Sequence, residues 1–383
     1  MKRLSSPQND TVENAENLGN NEPKKIPRLP LGVKIIYGIA ATCIPLYLAF
    51  LLSESFSDFF NRYISSFFRA LFAHSSSWIP FSVAEFALLL LPVWVFLITR
   101  AIMRRYGESL KELLYSIICV FSIVALIFTS FTLTFAPAYR GRTLDQKLGL
   151  ERADVSAREL YDTALILSER LREESKNITY GLDGFSVMPY DYSTMNENLL
   201  DAYDTVCDEH PFIQRLDSRL KPVMLSEPMS YTHITGVYTF FTGESNINVA
   251  FPDYTVPFTA AHELAHQRGI ARENEANFVA FLVCMNSEDA YLRYSAYLNM
   301  YEYVASALAS ADSSLYTSVY SSLPTCVRLE LDAYSKFYDK YRNSAASEVS
   351  GAVNNAVLII HGTEGTKSYG MVVDLAVAYY KDN

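Results

Sequence analysis

The sequence predicts a mostly helical α+β protein, in which three N-terminal transmembrane helices lead into an extracytoplasmic domain with a small β-sheet. Three observations predict it. Three long apolar runs lie at the N-terminal end of the chain, and most of the remainder places apolar residues at helical spacing among charges. One stretch, 223–251, breaks that rhythm: it is rich in Thr, Tyr, Val, Phe and Ile and is punctuated by Gly236 and Gly243, which reads as two or three short strands. Half of the residues are apolar and the mean hydropathy is +0.07, more apolar than a wholly soluble globule of 383 residues usually is. The net charge of -10 excludes nucleic acid as the main partner, because phosphate contacts need clustered Lys and Arg.

Residues 1–31 are rich in Asn, Glu, Pro, Ser and Lys and read as a disordered cytoplasmic tail. The anchor occupies 32–138. Its apolar runs are Ile35–Leu52, Ile79–Ile102 with Pro92 inside it, and Leu113–Ala136. Each approaches the roughly 20 residues that cross a bilayer as a helix. Buried core helices are the alternative, but no amphipathic partners lie between the runs. Lys24, Lys25, Arg28 and Lys34 precede the first run, and Arg100, Arg104, Arg105 and Lys111 surround the link between the second and third. The positive-inside rule therefore places the N-terminus and that link in the cytoplasm and everything after about Pro137 outside it. The long polar lead and the lack of a small-residue cleavage site argue against a cleaved signal peptide. In the first link Phe56, Phe59, Phe60, Tyr63, Ile64, Phe67, Phe68 and Leu71 recur at helical spacing, which suits an interfacial helix at about 56–72 or one packed on the spans or on the outer domain.

The outer domain, 139–383, opens with amphipathic helical patterns at Ser156–Asn177 and Asn196–Leu220 and returns to helices from Pro257 almost to the end. Thr242–Val249 reads either as an edge strand able to pair with an extended peptide or as an ordinary hairpin. Five cysteines are scattered without a CxxC pair, which gives no support to a cysteine-based zinc site. Cys43 and Cys119 read as packing residues, and a disulfide among Cys207, Cys284 and Cys326 is left open.

The chemistry-bearing segment is His262-Glu263-Leu264-Ala265-His266, with Thr259 as the expected N-cap of its helix. Residues four apart on a helix share a face, so both imidazoles can grip one metal ion, and Zn2+ suits them. Glu263, one residue on, can reach a water activated by the metal and act as general base. Gly269 can end this helix in a left-handed cap, after which an acidic helix opens with Arg272-Glu273-Asn274-Glu275. Glu273 is the expected third metal ligand and Glu275 the alternative. Asn277 shares a face with Glu273 and is placed to hold a ligand in orientation. Tyr238 and Tyr369 are candidate donors to a developing oxyanion, with core packing as the alternative for each. His210, His233 and His361 lack ligand spacing and read as surface or packed histidines.

The string His262–Phe278 resembles the core of an uncharacterised bacterial membrane-protein family, domain of unknown function 3810, which is similar to zincin-type metallopeptidases. Pro80-Phe81-Ser82 with Glu85, Tyr139-Arg140, Thr235-Gly236-Val237-Tyr238 with Glu244, Asn246 and Asn248, and Ser368-Tyr369-Gly370 extend the resemblance over nearly the whole chain after the tail. It implies a multi-pass protein of the bacterial cell membrane with a zincin-like outer domain. It supplies no substrate. One departure is that His266 and Glu273 are close in sequence: this short gap with a central glycine is similar to the turn of the metzincins, yet Arg272 stands where their third His would be. The expectation is a membrane-anchored zinc hydrolase, a metallopeptidase acting on a peptide or protein substrate at the outer face. The alternatives are a non-catalytic sensor or scaffold with a structural or vestigial zinc site, and an intramembrane protease. Gln267, Arg268, Arg272, Glu273 and Glu275 speak against the last, since they would be costly in lipid.

Overall fold

The computed structural model describes residues 28–106, 110–342, 344–361, 363 and 371–382. The expected tail lies almost wholly outside the described residues, as does Tyr369. Two helices, Leu31–Leu52 and Leu110–Thr134, are long and apolar enough to cross a membrane. They run side by side in the same direction: the Tyr37 hydroxyl donates to the Ile118 carbonyl at 2.9 Å, and further along the Tyr47 ring lies 6.4 Å from that of Phe128.

The second apolar run is not one continuous span. It forms two helices, Val83–Leu89 and Leu91–Tyr106, bent by 52° at Leu90, so the chain has two candidate spans, or up to three if this bent pair counts as one. The cause is local. Pro92 has no N–H to donate to the Leu88 carbonyl, and the rigid pyrrolidine ring crowds the preceding turn.

The link between the first two runs is helical from Glu54 to Ser77, with a π-helical turn at Asn61–Ser65. Its two faces differ. Phe59, Tyr63, Phe67 and Leu71 are exposed, whereas Ser57, Phe60, Ser65, Arg69 and Ala73 are buried. Phe60 packs with Phe50 and Ala136 at the ends of the two long helices.

The C-terminal part buries one large core. Helix Ala290–Ala311 packs on helix Ala157–Glu174 and on helices Thr255–Gln267 and Glu273–Met285. Ser156 and Glu159 form a capping box that starts helix Ala157–Glu174. The helix expected over Asn196–Leu220 instead spans Tyr192–Glu209. Asp191 caps its start by accepting the Thr194 N–H, and Pro211 holds the residue before it, His210, out of helical geometry.

Three strands form one mixed sheet: β1 (Leu220–Pro222), β2 (Gly236–Thr239) and β3 (Glu244–Ile247), in the order β1-β3-β2. β3 pairs parallel with β1 and antiparallel with β2 and is buried throughout. The edge-strand reading of Thr242–Val249 is thereby corrected, because β3 is the central strand and β2 lies at the edge. The five cysteines are all unpaired.

A buried ion pair, Lys221–Glu244, ties the sheet to the start of the bent pair. Glu244 also accepts the N–H groups of Val83 and Ala84, each at 3.0 Å, and Lys221 donates to the carbonyls of Ser76 and Phe81. Glu85 reciprocates by accepting the N–H groups of Met224 and Leu225. Removing one member leaves a charge buried without its partner. Lys221→Met is expected to lower unfolding stability by about 3 kcal/mol, read by denaturant unfolding of the detergent-solubilised chain. An unchanged midpoint would mean that the pair is dispensable.

Candidate metal centre

The helix that carries the histidines starts at Thr255, with Tyr254 at its N-cap position, so Thr259 lies inside the helix and is not its cap. Pro257 is tolerated because it sits in the first turn, where an N–H is not required. The helix ends where Gly269 adopts φ +86, with the Ile270 N–H bonded to the Ala265 carbonyl and the Gly269 N–H to the His266 carbonyl. This pair of bonds closes a Schellman cap and reverses the chain, so that Glu273, first residue of the next helix, faces back toward the histidines.

His262 Nε2 lies 3.1 Å and His266 Nε2 3.4 Å from Glu273 Oε2. All three donor atoms lie within 4.8 Å of one another, and among the described residues this is the group of three that could hold a metal ion. The two short separations approach the edge of a ligand tetrahedron, roughly 3.3 Å for bonds of about 2.0–2.1 Å. Each imidazole is oriented through its other nitrogen. His262 Nδ1 is 2.8 Å from Asn277 Oδ1, and His266 Nδ1 is 2.7 Å from the Ile270 carbonyl. Glu275 takes no part: its Oε1 accepts from Arg272 at 2.8 Å and from the Leu144 N–H at 3.0 Å.

Glu263 is buried beside this cluster. Its carboxylate rests against Gly236 of β2, where an added Cβ would come within 2.6 Å of Oε1. The Tyr238 backbone N–H favours the charged form of the same carboxylate, and Oε2 is buried without a hydrogen-bond partner. Burial pushes the Glu263 pKa up against the pull of His262 and His266, with the Glu273 charge adding to the rise. Burial alone would lower the His266 imidazolium, but the Glu273 carboxylate overrides it and lifts His266 to about 9. Glu273 in turn resists its own desolvation and is held well below the usual carboxylate range by the two histidines. A proton on His266 thus offsets the charge of Glu273.

The Tyr238 hydroxyl does not join the cluster. It is buried without a partner, and the charge that bears on it is Arg69. The tyrosines whose pKa values respond to the Glu273 charge are Tyr139 and Tyr303, and Tyr303 also lies beside the Asn277 amide.

A second set of residues, from the link helix, fixes the turn. Asn61 Nδ2 donates to the Gly269 carbonyl at 3.0 Å. The buried Arg69 donates to Asn61 Oδ1 at 2.6 Å, to the Asn61 and Thr134 carbonyls at 3.0 and 2.9 Å, and to Gln214 Oε1 at 2.9 Å. Burial pulls the Arg69 pKa down to about 10, so the guanidinium stays charged at neutral pH. An added Cβ at Gly269 would meet Arg69 Nη2 at 2.6 Å. Sequence reading did not assign Asn61, Arg69, Tyr139 and Tyr303 to the site. The available signal for the first two was a polar residue and an arginine on the inner face of an aromatic helix.

Fold and cluster together define a mostly helical protein with apolar spans and a buried His-His-Glu group beside a further carboxylate. The family described as protein of unknown function (DUF3810) matches residues 56–377, and the chain belongs to that family. No curated protein and no solved structure matches it.

Two outcomes test the donor set. Ligation needs a neutral imidazole. Since the folded His266 pKa lies above its ordinary value, the proton is bound at pH 7 and leaves as the pH passes about 9. Adding zinc at pH 7 should release close to one proton per ion, measured by calorimetry in buffers of different ionisation enthalpy, with the release fading above about pH 9. Asn277→Ala should weaken zinc affinity by about 10–100-fold, read by chelator competition.

Proposed function

We propose that this chain is a membrane-anchored zinc hydrolase that cleaves peptide bonds. The observation that carries this reading is the convergence of His262, His266 and Glu273 on one point, with the Glu263 carboxylate beside it and one of its oxygens unpaired. A zinc ion held by the three would supply a Lewis acid and lower the pKa of its water toward about 7. Glu263 accepts the proton of the attacking water as the new C–O bond forms at the substrate carbonyl. It then returns that proton to the amide nitrogen as the C–N bond breaks, giving a carboxylate and an amine. Gly236 and the Tyr238 N–H keep the Glu263 carboxylate in one position, and Asn277 and the Ile270 carbonyl fix the two rings. Tyr139 and Tyr303, whose pKa values the Glu273 charge raises, join Tyr238 as candidate donors to a developing oxyanion. β2, at the sheet edge next to Glu263, offers a backbone with which an extended substrate can pair.

The arrangement favours catalysis over a structural site in a sensor or scaffold, because such a site has no use for an unpaired buried carboxylate beside its ligands. The zincin likeness rests on this same constellation. Two long helices running in parallel support a return of the chain across the membrane between them, by way of the bent pair. Lys34 in the first turn of the first long helix and Arg100 and Arg104 near the end of the bent pair then favour, by the positive-inside rule, a metal centre outside the cytoplasm.

The test is zinc content together with hydrolysis of a peptide library by the full chain in detergent or nanodiscs. Glu263→Gln should keep its zinc and lose activity by about 10²–10⁴-fold. Wild-type rates in that variant would end the mechanism. Gly236→Ala, which pushes the Glu263 carboxylate aside, should lower kcat by about 10²-fold with zinc content unchanged.

A further inference from the structure

We propose that helix Ala345–Ile360 lies on the bilayer surface and that the metal centre works within the headgroup layer, on polypeptide tethered to the same membrane. The substrate half of this inference rests on the peptidase reading, whereas the location half does not.

The first observation is depth. Helix Leu110–Thr134 has 25 residues and so rises roughly 37 Å, against a hydrocarbon thickness of about 30 Å. Its last turns therefore reach the lipid boundary. Phe131 belongs to them, and Phe135 follows one residue after the helix ends. The Phe135 ring lies 5.9 Å from the His266 ring. Phe131, Phe135, Tyr139, Tyr238 and Phe240 form one aromatic cluster from the end of the span to β2. The metal ligands thus stand directly on the end of a span, with no spacer between membrane and site.

The second observation is a helix with an exposed apolar face. Ala345–Ile360 has 16 residues and a rise of about 24 Å, too short to cross the hydrocarbon core. It carries a single charged residue, Glu348. Val349, Val353, Val357 and Ile360 form a stripe at spacings of four, four and three residues, and all are exposed, as is Ile359. Leu358 is its one buried residue. An apolar stripe of this length is unusual on a surface that faces water, and one with this pattern suits a helix lying in the interface. What covers it is indicated by the residue that follows. The His361 ring stacks on Phe131 at 4.6 Å and on Tyr139 at 4.9 Å, so the stripe continues directly from the end of the span. The bilayer that surrounds the span is therefore the surface this helix meets. A substrate reaching the metal centre must bring its scissile bond to the same level, which a juxtamembrane segment does by virtue of its own anchor.

The experiment has two arms and uses the full chain in lipid nanodiscs. In the first, Val353→Trp is made with Trp78 and Trp94 replaced by Phe, and its fluorescence is read with lipids brominated at different depths. Strong quenching by bromines near the headgroup, weaker by deep ones, is expected. No quenching by any brominated lipid overturns the location, and would mean that water, a second copy or another protein covers the stripe. In the second arm, a sequence cleaved from the library is placed about 5, 15 or 30 residues from a transmembrane anchor, roughly 17, 50 or 100 Å at full extension. Cleavage at least ten-fold faster at the shortest spacer than at the longest, or than for the free peptide, is expected. Equal rates for all of them overturn the tethered substrate. If no peptide of any kind is cut while Val353→Trp is quenched, the peptidase reading has failed and the location stands.

Discussion

The structure depends on a single left-handed turn at Gly269. The turn carries the chain from the helix with the histidines to the helix that begins at Glu273, and its geometry decides whether a carboxylate meets the imidazoles. A Schellman cap closes it from within, and Asn61 and Arg69 hold it from outside. A side chain at Gly269 would fail twice, through its backbone conformation and through collision with the guanidinium. The proposed chemistry therefore rests on a backbone position that carries no chemistry itself.

The residues that hold this turn come from the link between the first two apolar runs, two hundred or more positions earlier in the chain. Burying a guanidinium is costly unless its donors are satisfied. Arg69 meets that condition by bonding Asn61, the Thr134 carbonyl and Gln214, which belong to the link, the end of a span and the C-terminal part. Lys221, Glu244 and Glu85 make a similar connection at the start of the bent pair. Because each partner left alone would be a buried unpaired group, these contacts tie the apolar helices to the C-terminal part. The π-turn at Asn61–Ser65 brings Asn61 and Arg69 to the same buried face. Such turns often mark functional positions in helices.

Electrostatically, His266, Glu273 and Glu263 depend on one another. Glu273 stays ionised in a buried place because His266 keeps a proton, and Glu263 is biased toward its neutral form by the same burial. A cation held by the same three ligands would take over the role of the His266 proton in offsetting the Glu273 charge. The three acidic and basic groups are thus coupled, and their charge states change together.

The local sequence determined what local physics controls. Helical spacing placed His262 and His266 on one face, the glycine marked the reversal, and composition separated the apolar spans from the mixed C-terminal part. The amphipathic helix beginning near Ser156 and the two strands within 223–251 were legible for the same reason, since each depends on neighbours within a few residues, whereas β1 at Leu220–Pro222 falls before that stretch. The tertiary structure decided whatever depends on residues far apart. It turned Glu273 toward the histidines and Glu275 toward Leu144, although they stand two positions apart and their chemistry is identical. It made β3 central, bent the second apolar run at Leu90, started the histidine helix at Thr255, and sent the Tyr238 hydroxyl away while bringing Tyr139 and Tyr303 near Glu273. The spacing of residues along the chain limits which face a side chain can share, but only the packing of the whole chain selects the atoms that meet there.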